Sequence, residues 1–530
     1  MHEDFTILKN AFAYKLQPLH KAYWLSRWNF YTNSSEENMA RSIAAKKALQ
    51  KLYQDKKLYK LFKEVDLKSL SLAEQGQLKH ILKEFEEQNQ FHDQKEELDL
   101  MEAEIAKKYN SYTPKIDNKP VSSAQIYAIL QTSEDTNLRA QAYQAKLDGG
   151  NLIAEDLRKL VIKRNEYAQN FGYNDFFEYH LKEEFDVDIQ DLNNLMELVY
   201  SSLKTQIKTV YEQKNTQRKK AFGVSVLEPH HCDLLPKIDP DKKVNDYLIS
   251  AEQIVDIAKH TYQRMGYNID SLIAEGRLTL DLFPRNKKNT HAFSFDIESG
   301  KDLRILANLT NNVRSLLVLH HELGHCVYDL GFAKDMCFLD KSTYPAVTEA
   351  VAMMMESLQK RENVLGEVVP KSVLQGFKSS WAADDLLYLG YALTLINFER
   401  EMYKNPNQDL KKLWRDMRVK FRGADKQETP DNAWATIPHF LSYPVYYQNY
   451  FRAQIIREQI YEHLTSTLGP VTENPNTADY LKQHLFQYGV SLTQDELIKN
   501  LTGHNISPDT LIKSVSHAFP TKSPSEFRER

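Results

Sequence analysis

Between Val313 and Val327 the chain sets apolar residues on nearly every face of a prospective helix: Val313, Leu316, Leu317, Val318, Leu319, Leu323 and Val327. A helix that is apolar all round is a buried one. Thr310, Asn311 and Asn312 offer N-caps before it and Gly331 offers a C-terminal stop, so the pattern predicts a helix of roughly five turns. This buried helix nevertheless contains His321, Glu322 and His325, and ionisable groups taken out of water need partners. Residues four apart lie on one face, about a turn apart, so His321 and His325 can reach one common ion while Glu322, about 100° round, stands beside it. The arrangement is a His-Glu-x-x-His signature, half of a hydrolytic zinc site with a glutamate placed to act on water. The bland alternative is a pair of core histidines bonded to backbone carbonyls.

The rest of the chain reads as mainly α. Gly (17) and Pro (18) are both scarce in 530 residues, and apolar positions recur with a helical period almost throughout. From Glu36 to about Asn110 the segments are charged, as in long and partly exposed helices, and a Pro-bearing connector from Tyr112 to Val121 closes this region. A second helical block runs from Ser122 to Phe222, where Leu192, Leu195, Met196, Val199 and Leu203 form a core-facing stripe. Glu228-Pro229-His230-His231-Cys232-Asp233 reads as a loop rather than a second metal site, because adjacent ligands on a short loop rarely all face one ion. The texture then changes: Leu278, Leu280 and Leu282 alternate, followed by Phe293, Phe295 and Ile297 and by Leu303 and Ile305, which predicts a small antiparallel sheet leading into the histidine helix. A strand so placed can offer its edge to an extended peptide. His291 and Ala292, read as lying on that strand, carry no chemical signal of their own and pass as strand filler.

Composition excludes several classes. A net charge of −4 gives no electrostatic case for nucleic acid or an anionic membrane. Three cysteines, Cys232, Cys326 and Cys337, have no framework spacing, which fits a reduced compartment better than a disulfide scaffold. Met1-His2-Glu3-Asp4-Phe5 lacks the apolar core of a signal peptide, and the apolar run Leu386–Ile396 is about half the length needed to span a bilayer, so it reads as a core helix. A cytoplasmic location is the resulting expectation.

Two histidines leave zinc half coordinated, and a catalytic site needs one more protein ligand and an open position. Asp329, Asp335, Asp340, Glu349 and Glu356 all follow the motif. Asp329 would have to reach back along its own helix, and Asp335 and Asp340 fall in a loop. Glu349 opens a new helix started by Pro345, and a ligand on a second rigid helix is best held, so Glu349 leads and Glu356 stands in reserve.

Several ordered motifs then coincide: Thr290-His291-Ala292-Phe293-Ser294-Phe295-Asp296, Gly300-Lys301-Asp302-Leu303-Arg304-Ile305, the histidine motif, and Thr348-Glu349-Ala350 with its glutamate 24 residues after His325. Downstream come Phe398-Glu399-Arg400-Glu401-Met402-Tyr403, Ile437-Pro438-His439-Phe440 and Pro444-Val445-Tyr446-Tyr447-Gln448-Asn449-Tyr450. From about residue 280 to 465 the chain resembles the angiotensin-converting-enzyme-like peptidyl-dipeptidases, gluzincin zinc peptidases, in their short bacterial form. The resemblance implies one peptidase domain over 1–530. In it, 1–121 form a helical flank or lid, 122–277 a helical lobe, and 278–530 a catalytic lobe. It also implies two helical lobes around a deep active-site cleft, with the small antiparallel sheet beside the zinc helix. His321, His325 and Glu349 would hold one Zn²⁺ per chain with Glu322 as base. His291 and Ala292 would bind the substrate backbone, His439 and Tyr450 would stabilise the tetrahedral intermediate, and Tyr447 would anchor the C-terminal carboxylate of a short peptide substrate.

Three departures from that pattern carry consequences. Ile437 stands where animal members have a lysine for the substrate's free C-terminus, which puts strict dipeptide release in question. Asn449 replaces a chloride-binding arginine, so no strong chloride dependence is expected. Met353 occupies the place of an aspartate that elsewhere orients a ligand histidine, so another acceptor has to do this for His321.

Overall fold

A computed structural model of the chain describes residues 2–231, 244–362, 364–374 and 381–520. The chain is mainly α, with long helices such as His2–Thr32, Thr136–Gln169 and Ile189–Phe222. Their starts follow local chemistry. Asp135 and Asp188 cap the latter two by accepting from the second and third helical N–H groups, and Ser71 and Glu74 form a reciprocal capping box at the helix Leu72–Asn89. Leu192, Met196, Val199 and Leu203 are buried, as their stripe predicts, and Leu386–Ile396 lies inside the helix Trp381–Lys404. Among the described residues no helix is long and apolar enough to cross a membrane. Glu228–His231 is a loop with one 3₁₀ turn, while Cys232 and Asp233 lie outside the described residues.

The fold divides into two compact units, each assembled from separated stretches of sequence. One comprises Met1–His92, Val244–Ser372 and Arg452–Thr510; the other comprises Asp93–Lys243, Val373–Phe451 and Leu511–Arg530.

In the first unit, Phe5, Phe12, Phe62 and Phe85 form the centre of an aromatic core among the N-terminal helices, against which Phe338 and Leu339 also pack. Lys9 Nζ reaches both carboxylate oxygens of buried Asp340, at 2.9 and 3.0 Å, and Gln77 donates to the same carboxylate. The N-terminal helices are thus tied to the segment that follows the histidine helix. Three strands form the sheet: β1 (Leu278–Asp281), β2 (Phe293–Asp296) and β3 (Leu303–Leu306), in the order β1-β3-β2. β2 and β3 make the antiparallel pair, Phe293 opposite Leu306, but β1 runs parallel to β3, Leu278 opposite Leu303. The sheet is therefore mixed; alternation fixes which face of a strand is buried but not its direction. Trp28 and Tyr31 of the first helix pack on Phe295 and Phe293. The Asn289 N–H donates to Tyr31 O, so the same helix end also holds the approach to β2.

Two helices follow the sheet, α1 (Val313–Asp329) and α2 (Pro345–Arg361). Asn312 caps α1 by accepting from the Ser315 N–H, and Pro345 sits in the first turn of α2. Gly331 does lie just past the end of α1, but its function is space: a Cβ there would stand 2.3 Å from Phe486 Cβ. Gly324 is the more consequential glycine. A Cβ on it would meet the Cα of Ala352 on α2 at 2.7 Å, so the two helices cross at a separation that only glycine allows.

In the second unit, α3 (Trp381–Lys404) packs against the helices Ile189–Phe222 and Leu410–Arg422, with Phe398 between Trp414, Trp434 and Phe440. A short helix α4 (Pro438–Ser442) and the start of α5 (Tyr447–Leu468) complete the part of this unit that bears candidate residues.

Candidate metal centre

The Gly324–Ala352 crossing brings Glu349 of α2 alongside the histidines of α1. His321 Nε2 lies 3.5 Å from Glu349 Oε2 and His325 Nε2 lies 3.9 Å from it, with one ligand atom from each residue falling within 4.8 Å of the others. These separations are long for hydrogen bonds. They are close to what a single ion imposes, since ligands at about 2.0–2.1 Å in a tetrahedron stand roughly 3.3 Å apart. Two imidazoles and one carboxylate are also a donor set that zinc takes at hydrolytic sites, so the residues fit the ion. The other candidates are placed elsewhere. Asp340 is paired with Lys9, Asp335 is exposed, and Asp329 is half-buried near Asp296, where burial and its neighbour's charge push its carboxyl up.

Each of the two clustered histidines has a polar neighbour at its Nδ1. His325 Nδ1 is 2.8 Å from Thr348 Oγ1, so α2 supplies both a carboxylate ligand and, one residue earlier, the hydroxyl that aims a histidine. His321 Nδ1 is 3.3 Å from Glu356 Oε2. Glu356 thus offers His321 the acceptor that Met353 cannot, from outside the cluster of His321, His325 and Glu349. Burial works to raise the Glu356 carboxyl, but His321, Lys360 and Arg457 outweigh it and hold it below the usual range. For His321, burial alone would lower the imidazolium; the neighbouring carboxylates of Glu349 and Glu356 override it and hold His321 well above its ordinary value. Burial pushes His325 down to about 4.

Glu322 is buried on the β2 side of α1. Burial first, then the charges of Glu349 and Glu356, push its carboxyl up to about 7 against the opposing pull of His321 and of the nearby Ser294 backbone N–H on β2. Cys326, one turn on, contacts Ser294 Oγ at 3.2 Å. The remaining histidine, His320, realises the bland reading: it is fully buried, with Nδ1 2.9 Å from the Leu316 carbonyl, and burial lowers it to about 4.

His291 and Ala292 sit in the bend just before β2, not on the strand itself, with the Asn289 side chain accepting from the His291 N–H at 2.9 Å. His291 is exposed, and β2 is an edge strand.

In the second unit, His439 of α4 and two tyrosines of α5 come together. The His439 ring is 4.7 Å from that of Tyr447 and 6.2 Å from that of Tyr450, and the two tyrosine rings are 5.8 Å apart. Tyr447 Oη is 3.5 Å from Tyr391 Oη. Spacing alone could not have joined His439 to Tyr447, because a turn separates their helices.

Residues 129–517 match Peptidase family M3. The chain belongs to that family. The chain is also 24% identical over 196 residues to angiotensin-converting enzyme of Oryctolagus cuniculus and 25% identical over 198 residues to that of Sus scrofa, in each case covering 34% of this chain. The matched stretch spans only 14% of either relative's length.

Sequence reasoning missed Thr348, although it lies inside a motif already singled out, and did not see Glu356 as a neighbour of His321 Nδ1. The signal for Glu356 is its spacing: Glu349 and Glu356 are seven residues apart on one helix and so share a face.

Proposed function

We propose that this M3 family member is a zinc-dependent peptidase that hydrolyses short peptides, releasing dipeptides from their C-termini, with Glu322 as general base. The observation that carries the reading is the convergence of His321, His325 and Glu349 with Glu322 beside them on α1. A zinc ion held there supplies a Lewis acid for the scissile carbonyl and lowers the pKa of water. Glu322 accepts the proton of the attacking water and passes it to the leaving amine, a task suited to a carboxyl poised near neutral pH. Thr348 and Glu356 keep the two imidazoles turned toward the ion.

The remaining assignments rest on resemblance. His291 and Ala292, at the mouth of edge strand β2, hold the substrate main chain; His439 and Tyr450 donate to the developing oxyanion; Tyr447 receives the C-terminal carboxylate. Glutamate and tyrosine chemistry of this kind is independent of substrate sequence, so short peptides of varied composition are the expected partners.

Ile437 favours a second reading, in which no strong cation fixes the free C-terminus and the enzyme cuts internal bonds or removes single residues. Digestion of a panel of free and C-terminally amidated peptides, read by mass with and without a chelator, separates these. Dipeptides lost only from free C-termini support the first reading; internal fragments from both sets support the second. Absence of any chelator-sensitive cleavage would leave a helical binding protein without catalysis.

A further inference from the structure

Val445 has a left-handed backbone, φ +61°, although it is β-branched and buried. Such a conformation is costly for valine and persists only where the surroundings hold it. It lies in the turn that joins α4 to α5. Two buried polar side chains hold the backbone on either side. The Val445 N–H donates to Glu399 Oε1 of α3 at 2.8 Å. The Arg164 guanidinium donates to the Phe440 carbonyl at 2.8 Å and to the Leu441 carbonyl, both in α4, and binds Tyr403 Oη at 3.0 Å and Glu102 Oε1 at 2.6 Å. Glu399 and Arg164 are each 1% exposed, so neither meets solvent, and they act on one another electrostatically. The helix that carries His439 and the turn that launches Tyr447 and Tyr450 are thus fixed to one buried carboxyl and one buried guanidinium.

We propose that Glu399 and Arg164 are positioning residues that set the spacing of His439, Tyr447 and Tyr450 through the backbone they bind, with no contact to substrate. This rests on the reading above that those three groups act on substrate. The role requires a rigid acceptor at the right reach more than it requires charge, because what must be held is one N–H in an unfavourable conformation.

The test uses the zinc-loaded full chain, with kcat and KM on a short peptide, zinc content and melting temperature measured for every variant. Glu399→Gln keeps an oxygen at the same reach and is expected within about threefold of the unaltered kcat. Glu399→Leu removes the acceptor and Glu399→Asp withdraws it by one methylene. Both are expected to lower kcat by at least about tenfold with zinc content unchanged, since misplacement near 1 Å can cost about 10² in rate. Glycine adopts the left-handed conformation freely, so Val445→Gly should restore much of the loss in the Glu399→Asp background, which a general stability effect would not do. If Glu399→Leu does not fold, Glu399→Asp decides. A kcat within threefold for folded Glu399→Asp or Glu399→Leu, or Glu399→Gln as damaging as Glu399→Leu, overturns the proposal. His439→Ala and Tyr450→Phe are measured in parallel. If these leave kcat unchanged, the assignment of the aromatic cluster fails and the proposal falls with it. If they lower kcat and the Glu399 variants do not, the proposal falls alone.

Discussion

Gly324→Ala adds a single methyl group where α1 and α2 cross with no room for it. The new Cβ would stand 2.7 Å from Ala352 Cα, 3.3 Å from Ala352 N and 3.3 Å from Met355 Cγ. Carbon atoms pack at about 3.5–4.0 Å, so α1 and α2 must separate by roughly 0.8 Å or more along that contact. The obstacle is backbone, which no rotamer change can clear. Alanine raises helix propensity by about 1 kcal/mol over glycine, while overpacking costs about 1–3 kcal/mol, so the fold should survive with a small net loss. The metal centre should fare worse, because His321 and His325 ride on one helix and Glu349 on the other, whereas ligand distances tolerate only about 0.2 Å. Zinc affinity is expected to fall at least about tenfold, measured by competition with a chromophoric chelator, while the metal-free protein melts within a few degrees of the unaltered chain. Ala352→Gly should not rescue it, since the clash is with Cα and N and not with the Ala352 methyl. Zinc affinity within threefold, or rescue by Ala352→Gly, would refute the claim that this crossing sets the ligand geometry.

Other outcomes follow from the same site. Glu322→Gln should retain zinc, measured by elemental analysis, and lose about 10² to 10⁴ in kcat, whereas Glu349→Ala should lose the metal itself. Glu356→Ala should leave three ligands in place yet weaken zinc binding by about 10–100-fold, because His321 loses the carboxylate 3.3 Å from its Nδ1; unaltered affinity would remove Glu356 from the support of the centre. Burial pushes the Glu399 carboxyl up to about 8 from 4.5, against the Val445 N–H and the Arg164 charge. The native state therefore binds more protons than the unfolded chain between those values. The contribution is fully present below about pH 4.5 and is lost as pH rises through about 8, at most roughly 1.4 kcal/mol per pH unit. Glu399→Gln should flatten that slope in chemical denaturation measured across the window. Chloride titration should leave the peptidase rate nearly flat, given Asn449; a steep activation curve would contradict this.

The parts of the fold that were legible in sequence are those governed by local periodicity. The buried helix around His321, the cap at Asn312, the proline start of α2 and the core stripe from Leu192 to Leu203 each follow from residues within two or three turns of one another. Strand direction was not legible. β1 and β3 alternate as an antiparallel pair would, and only the path of the chain through β2 makes them parallel. Nor does any local mark show that residues 1–92 pack with 244–372 and 452–510, because that grouping depends on contacts such as Lys9 with Asp340, hundreds of positions apart.

At the site the same divide separates ligands from their supports. A zinc ligand must be one of a few residue types at a few spacings, so His321, His325 and Glu349 stand out in a one-dimensional string. An orienting group needs only an oxygen at the right distance, and Thr348 does for His325 what Glu356 does for His321 with different chemistry and from a different turn. Many residues could meet that need, so residue type and spacing predict it poorly, and Met353 can stand where the resemblance leads one to look for an aspartate while Glu356 offers His321 an acceptor. The constraint survives in space rather than in sequence: some acceptor must lie on the Nδ1 side of His321, and α2 presents one a full turn beyond where the pattern would look for it.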